Sequence, residues 1–131
     1  MFKGVDHIVI AVKDLDAAVG RYEAMYGQPV SDRGEVAAAG MAMAFFRFPD
    51  SYVELVTATS DQGPIAKRLT DQGEGIHLIA MKVDNLDQTL VDLRAKGVRL
   101  VGDPGPGNPV KGQVFIHPAA TGGVLTQLVE R

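Results

Sequence analysis

No cysteine occurs among the 131 residues, so disulfides, thiolate metal sites and cysteine nucleophiles are all excluded. No apolar run approaches the roughly 20 residues needed to cross a bilayer as a helix. Basic residues do not cluster, and 13 lysines and arginines against 16 acidic residues leave a formal net charge of −3. A nucleic-acid partner is not expected from that balance. The start, MFKGVDHIVIAV, runs directly into a strand-like pattern without a small-residue cleavage site, so no signal peptide is expected. What remains is a cytoplasmic protein that handles a small molecule, with no membrane partner. Hydrophobic residues at 46% and charged residues at 22% argue for a packed core and against disorder.

What the chain does contain is a repeat of itself. Residues 5–27 read VDHIVIAVKDLDAAVGRYEAMYG and residues 76–97 read IHLIAMKVDNLDQTLVDLRAKG. Val12 aligns with Val83, Leu15 with Leu86 and Asp16 with Asp87, each pair 71 positions apart. Each copy opens with an apolar strand, followed by Asp14 or Asn85 at a helix N-cap. In the second copy Gln88 stands three residues on, close to a capping box. Leu15, Val19, Tyr22 and Tyr26 fall at helical spacing, as do Leu86, Leu90 and Leu93. Gly27 and Gly97 stand where left-handed C-terminal caps form.

Short strand candidates follow each helix: PVSDRGEV, MAMAFFRF and YVELVTA, then VRLV, QVFIHP and VLTQLVE. PIAKRLTDQG, with Pro64 in its first turn, predicts a linking helix. The chain therefore reads as βαβββ twice over, an α+β fold. It is expected to form one domain over 1–131, with module one over about 1–60, the helical linker over about 61–73 and module two over about 74–131. One module leaves a sheet face uncovered, so the two must pair to close a core.

Strand side chains alternate faces. In the first strand Ile8, Ile10 and Val12 share the helix-packing face, leaving His7, Val9 and Ala11 on the other. In YVELVTA, Val53 and Leu55 take the helix side and Tyr52, Glu54 and Val56 the opposite one. Thr126 and Leu128 correspond to Val53 and Leu55, so Gln127 corresponds to Glu54. His7, Glu54 and Gln127 are thus predicted to converge on one cavity from three strands. A His, a carboxylate and an amide meeting there suit a metal ion; a satisfied structural histidine and a paired edge charge are the competing readings. His77 is one step out of register, because the residue five before Val83 is Leu78, as His7 is five before Val12. Only a β-bulge near Gly73 or Gly75 would turn His77 to the inner face.

DHIVIAVKDLDAAVGRYEAMYG and GEGIHLIAMKVDNLDQTLVDLRAKGVRL, together with GPIAKRL, FIHP and GGVLTQLVE, resemble the vicinal oxygen chelate (glyoxalase/bleomycin-resistance/dioxygenase) superfamily over nearly the whole chain. Within it the likeness is to methylmalonyl-CoA epimerases. The resemblance implies a glyoxalase-like fold, two βαβββ modules pairing into a curved, partly open barrel of mixed sheet, and a homodimer. It also implies a divalent metal ion (Co, Ni, Mn, Zn or Mg), bound by His on the first strand, Gln or Glu on the fourth, His on the fifth and Glu on the eighth. Those positions are His7, Glu54, Leu78 and Gln127 here, with His77 as a substitute if a bulge brings it round.

The departures are specific. Leu78 replaces the family's fifth-strand histidine, Gln127 replaces a charged ligand, and Met43 stands where bacterial relatives carry an inward Glu on the third strand. His117, in the HP turn, is expected to brace the chain before TGGVL. GDPGPGNPVKG holds GxG elements with no helix after them, so it is not a phosphate-binding fingerprint; it is expected as a loop over the cavity mouth. Lys67, Arg68 and Lys111 are candidates to meet the phosphates of coenzyme A.

The expected function is a small-molecule enzyme of the glyoxalase and epimerase type, an isomerase or lyase that stabilises an enolate. Its substrate would be an acyl-CoA or another vicinal-oxygen compound. His7, Glu54, Gln127 and His77 are the metal candidates, and Glu54 and His7 the catalytic ones. Two alternatives stay open: a metal-free protein that binds or sequesters a small molecule, and a metal-free lyase or cyclase using His7 and Glu54 as acid and base. An oxygen-activating iron enzyme has least support, since two histidines and a carboxylate in register are wanted.

Overall fold

In the computed structural model, which describes Met1–Arg131 throughout, Asp14 and Asn85 start the two long helices as their side-chain chemistry requires. Asp14 Oδ1 accepts the Ala17 N–H at 3.1 Å and Asn85 Oδ1 the Gln88 N–H at 2.9 Å, each satisfying a donor that a helix start otherwise leaves orphaned. The expected capping box does not close. Gln88 Nε2 instead donates forward to Asp92 Oδ1 at 2.9 Å, one turn along the helix surface, and Glu130 accepts the Leu86 N–H at 2.7 Å. At the far ends, Gly27 adopts φ 67° and donates to Glu23 O. Val98 N–H reaches Leu93 O and Gly97 N–H reaches Arg94 O, both at 3.0 Å, the paired bonds of a Schellman motif.

The elements run β1 (Phe2–Ala11), α1 (Leu15–Tyr26), β2 (Asp32–Val36), β3 (Met41–Arg47), β4 (Tyr52–Ala58), α2 (Pro64–Gln72), β5 (Gly75–Val83), α3 (Leu86–Ala95), β6 (Leu100–Val101), β7 (Val114–Ile116) and β8 (Thr126–Glu130). The βαβββ order occurs twice, with α2 between, as read from the repeat. The strands hydrogen-bond in the order β2-β3-β4-β1-β5-β8-β7-β6. β1–β4 and β5–β8 are parallel, while β2–β3, β3–β4, β6–β7 and β7–β8 are antiparallel. The sheet is therefore mixed, and it ends at β2 and β6 rather than closing into a barrel. No helix is long and apolar enough to cross a membrane.

Two compact units divide the chain: His7–His77, and Met1–Asp6 with Leu78–Arg131. In the first, Val12, Leu15, Ala18, Val19, Ala44, Phe46 and Leu55 form the core, with Ile10 and Val53 packed against it. The alternation inferred for β1 and β4 is thus the one observed. Leu55 and Phe46 are fully buried, and removing a side chain of that kind from water contributes roughly 1.5–3 kcal/mol. In the second unit, Val83, Leu90, Leu93, Val114 and Leu128 form the core, so Leu128 takes the helix side as expected.

Loop 102–112 is tied to α3 through Asp103. Arg94 grips Asp103 through two nitrogens, Nε at 2.8 Å and Nη2, a fork geometry well matched to a carboxylate. Asp103 Oδ1 also accepts the Gly105 N–H at 3.0 Å. The Arg94 bonds hold the Asp103 carboxyl down at about 2. Gly105, Gly107, Asn108 and Pro109 line an open groove of about 380 Å³ with Leu90, Val91 and Arg94. The loop thus lies along α3.

Candidate active site

Register in the His7–His77 unit sets out a grid of side chains on the sheet face opposite α1. His7 stands beside Tyr52, Val9 beside Glu54 and Ala11 beside Val56. Across the next ladder Arg47 faces Tyr52, Phe45 faces Glu54 and Met43 faces Val56. Asp32 and Gly34 of β2 oppose Phe45 and Met43. Two adjacent rows result: Arg47–Tyr52–His7, and Asp32–Phe45–Glu54–Val9. Period-two alternation is the reason all of these share one face.

The first row is held together by its rings. The His7 and Tyr52 centroids are 4.3 Å apart with planes at 10°, and Phe45 meets Tyr52 edge-on at 5.8 Å. The Arg47 guanidinium lies 5.0 Å from the centroids of both Phe45 and Tyr52, within cation–π range. Its Nη2 also pairs with Asp32 Oδ2 at 3.2 Å.

Glu54 is half-buried on this face. Burial pushes its carboxyl up from 4.5 to about 7, with the positive charge of Arg47 pulling weakly the other way. A carboxyl tuned to neutrality can both take and give protons at physiological pH. His7, 5% exposed, is its diagonal neighbour across the β1–β4 ladder.

The other predicted residues fall as follows. Gln127 lies in the second unit, opposite Ala80 and Phe115. Leu78 is buried at 8% exposure. His77 is half-buried near Arg68, and burial together with that positive charge lowers its pKa. Nowhere in the chain do three or more His, Asp or Glu side chains gather where they could hold a metal ion. His7, with its ring face against Tyr52, and Glu54 make only two donors on their face. With Leu78 unable to coordinate and Gln127 offering only a neutral amide, the donor set does not fit the divalent metal that the resemblance implies.

His117 does brace its turn: its Nδ1 accepts the Ala119 N–H at 2.9 Å. Of the candidate phosphate ligands, Lys67 pairs with Asp71 at 2.8 Å, and Arg68 bonds Gln72 Oε1 at 2.6 Å and Gly73 O at 3.3 Å. Lys111 borders a shallow hollow with Pro104 and Asn108. Arg47 was not among the sequence candidates. The signal for it was available, since the alternation that places Met43 on this face also places Phe45 and Arg47 there.

A family model for the Glyoxalase/Bleomycin resistance protein/Dioxygenase superfamily matches residues 6–115. The mitochondrial methylmalonyl-CoA epimerase of Homo sapiens is 31% identical over 95% of this chain and 72% of its own length. The ethylmalonyl-CoA/methylmalonyl-CoA epimerase of Cereibacter sphaeroides is 30% identical over 98% of each. Among solved structures, a methylmalonyl-CoA epimerase in complex with methylmalonyl-CoA and NH4+ superposes with a TM-score of 0.83 at 35% identity, covering 99% of this chain and 95% of that one. The epimerase of Mycobacterium tuberculosis gives 0.81 at 35% identity, over 98% and 88%. With most of its length matched by the family and its relatives being isomerases, the chain belongs to the glyoxalase/bleomycin resistance protein/dioxygenase superfamily, among that superfamily's enzymes.

Proposed function

We propose that this chain is an isomerase of the methylmalonyl-CoA epimerase type, acting on an acyl-CoA thioester, and that Glu54 moves the proton on the carbon α to the thioester carbonyl. The observation that supports this most directly is the Glu54 carboxyl itself, desolvated to a pKa of about 7 on the sheet face that also carries His7. As a carboxylate it takes the α-proton. The C–H electron pair moves into the enolate, and a proton returned to the opposite face of the carbon inverts the centre. His7 is the second proton carrier in this reading. Strand spacing and rise put its Cβ roughly 8 Å from that of Glu54, which leaves room for a small acyl group between the two. The whole chain would work as one domain, as a homodimer in the cytoplasm.

A second reading, a protein that binds the thioester without turning it over, draws on Met43 and Leu78. Both are buried apolar side chains at positions where the family pattern has a Glu and a His. Incubating one epimer of methylmalonyl-CoA with the protein in D2O separates the two. Deuterium entering the α-position, and falling roughly 10²–10⁴-fold in rate in Glu54→Gln, supports the isomerase. Saturable binding with no exchange supports the second reading instead.

A further inference from the structure

We propose that Arg47 selects the substrate, by binding a free carboxylate on the acyl group of the thioester. This rests on the acyl-CoA reading above and adds to it the residue that tells one acyl group from another. Among the side chains of β2, β3 and β4 on the face of Glu54, together with His7, Val9 and Ala11, Arg47 is the only Arg or Lys. An anionic acyl group arriving beside an ionised Glu54 meets like charge, and a cation on that face is what offsets it.

Arg47 is also built for the task. Two rings fix its guanidinium, with both centroids at 5.0 Å. Those rings are the partners of the proton-transfer groups, since Phe45 stands opposite Glu54 and Tyr52 opposite His7. The only protein carboxylate bonded to it is Asp32, through Nη2 at 3.2 Å. Its Nε and Nη1 are left for a second acceptor in the planar fork that fits a carboxylate. The Arg47 and Asp32 side chains are each 51% exposed, so an incoming carboxylate can reach the fork and compete with Asp32. Arg47 thus acts as a carboxylate clamp beside the reacting carbon, with Asp32 as its internal competitor.

The test is equilibrium binding of malonyl-CoA and acetyl-CoA by calorimetry, to the wild-type protein and to Arg47→Met, Arg47→Lys and Asp32→Asn, with thermal melts to verify folding. The wild type should prefer malonyl-CoA by about tenfold or more, as a charge-assisted bidentate contact implies. That ratio should approach one in Arg47→Met, take an intermediate value in Arg47→Lys, and rise in Asp32→Asn, a gain that a merely structural arginine does not produce. An undiminished ratio in folded Arg47→Met, or equal binding of both thioesters by the wild type, overturns the assignment while leaving the acyl-CoA reading standing. A wild type that binds neither thioester overturns both.

Discussion

The imidazole of His7 lies flat on the phenol ring of Tyr52, centroids 4.3 Å apart and planes 10° from parallel. The contact fixes the plane of a buried histidine from one side. Tyr52→Phe should keep it, whereas Tyr52→Leu should lose about 1 kcal/mol of stacking. The His7 ring protons, shielded by the phenol, should move downfield in the NMR spectrum of Tyr52→Leu and stay in place in Tyr52→Phe. Unmoved resonances in Tyr52→Leu count against the stack.

Glu54 should govern both rate and stability against pH. As a base it must be ionised, so kcat/KM should rise with pH and level off above about 7. Stability runs the other way. Its folded pKa, about 7, is raised above the ordinary 4.5, so the folded state holds a proton that the unfolded chain gives up. The stabilisation is complete below about 4.5 and is lost as pH rises to about 7. The difference is on the order of 3 kcal/mol at most. Arg47, Asp32, His7 and Tyr52 are the charged or titratable groups sharing its face, and Arg47 reduces the effect. Urea melts of Glu54→Gln across this range should show a flatter dependence than wild type, with a gain at neutral pH.

Metal removal should change nothing. Protein purified without a His-tag is expected to carry far less than one Co, Ni, Mn, Zn or Mg per chain by elemental analysis, and chelators should leave α-proton exchange intact. One tightly held ion per chain, lost in His7→Ala, is the result that sinks this expectation.

Gly102 should tolerate no side chain. Its φ is +80°, and a Cβ there would sit 2.3 Å from the carbonyl oxygen of Gln113. Both the left-handed backbone and the close approach oppose Gly102→Ala, which should cost about 2 kcal/mol or more in a denaturant melt. A cost under half that would mean the β6–β7 connection yields readily.

Much of the frame was legible because local chemistry and periodicity agree with it. Asp14, Asn85, Gly27 and Gly97 each announce a helix end, and the strand alternation correctly separates Leu55 from Glu54. The strands of the second half were harder. VRLV shrinks to Leu100–Val101 because the Schellman turn at Gly97 and the positive φ of Gly102 crop it from both sides. The path of the Pro- and Gly-rich loop was hidden for a different reason. Its composition states that it turns often, while its position depends on a long-range pair, Arg94 with Asp103, that no spacing rule exposes. At the site, parity gave the face of each residue. The stack of His7 on Tyr52 and the seating of Arg47 over two rings needed the register between strands, which only the folded chain supplies.

The repeat carries its caps and apolar stripes through both copies, but not the ionisable groups of this sheet face. His7 has Leu78 as its counterpart, and Glu54 has Gln127. On the proposed reading, one copy holds the proton-transfer groups and the other has none at the matching positions. Mutational tolerance should be lopsided on that reading: neutral substitutions at Leu78 or Gln127 should leave α-proton exchange standing, while those at His7 or Glu54 should cut it sharply. On that reading, a gene of this design can drift in one half while the acid–base pair in the other stays untouched.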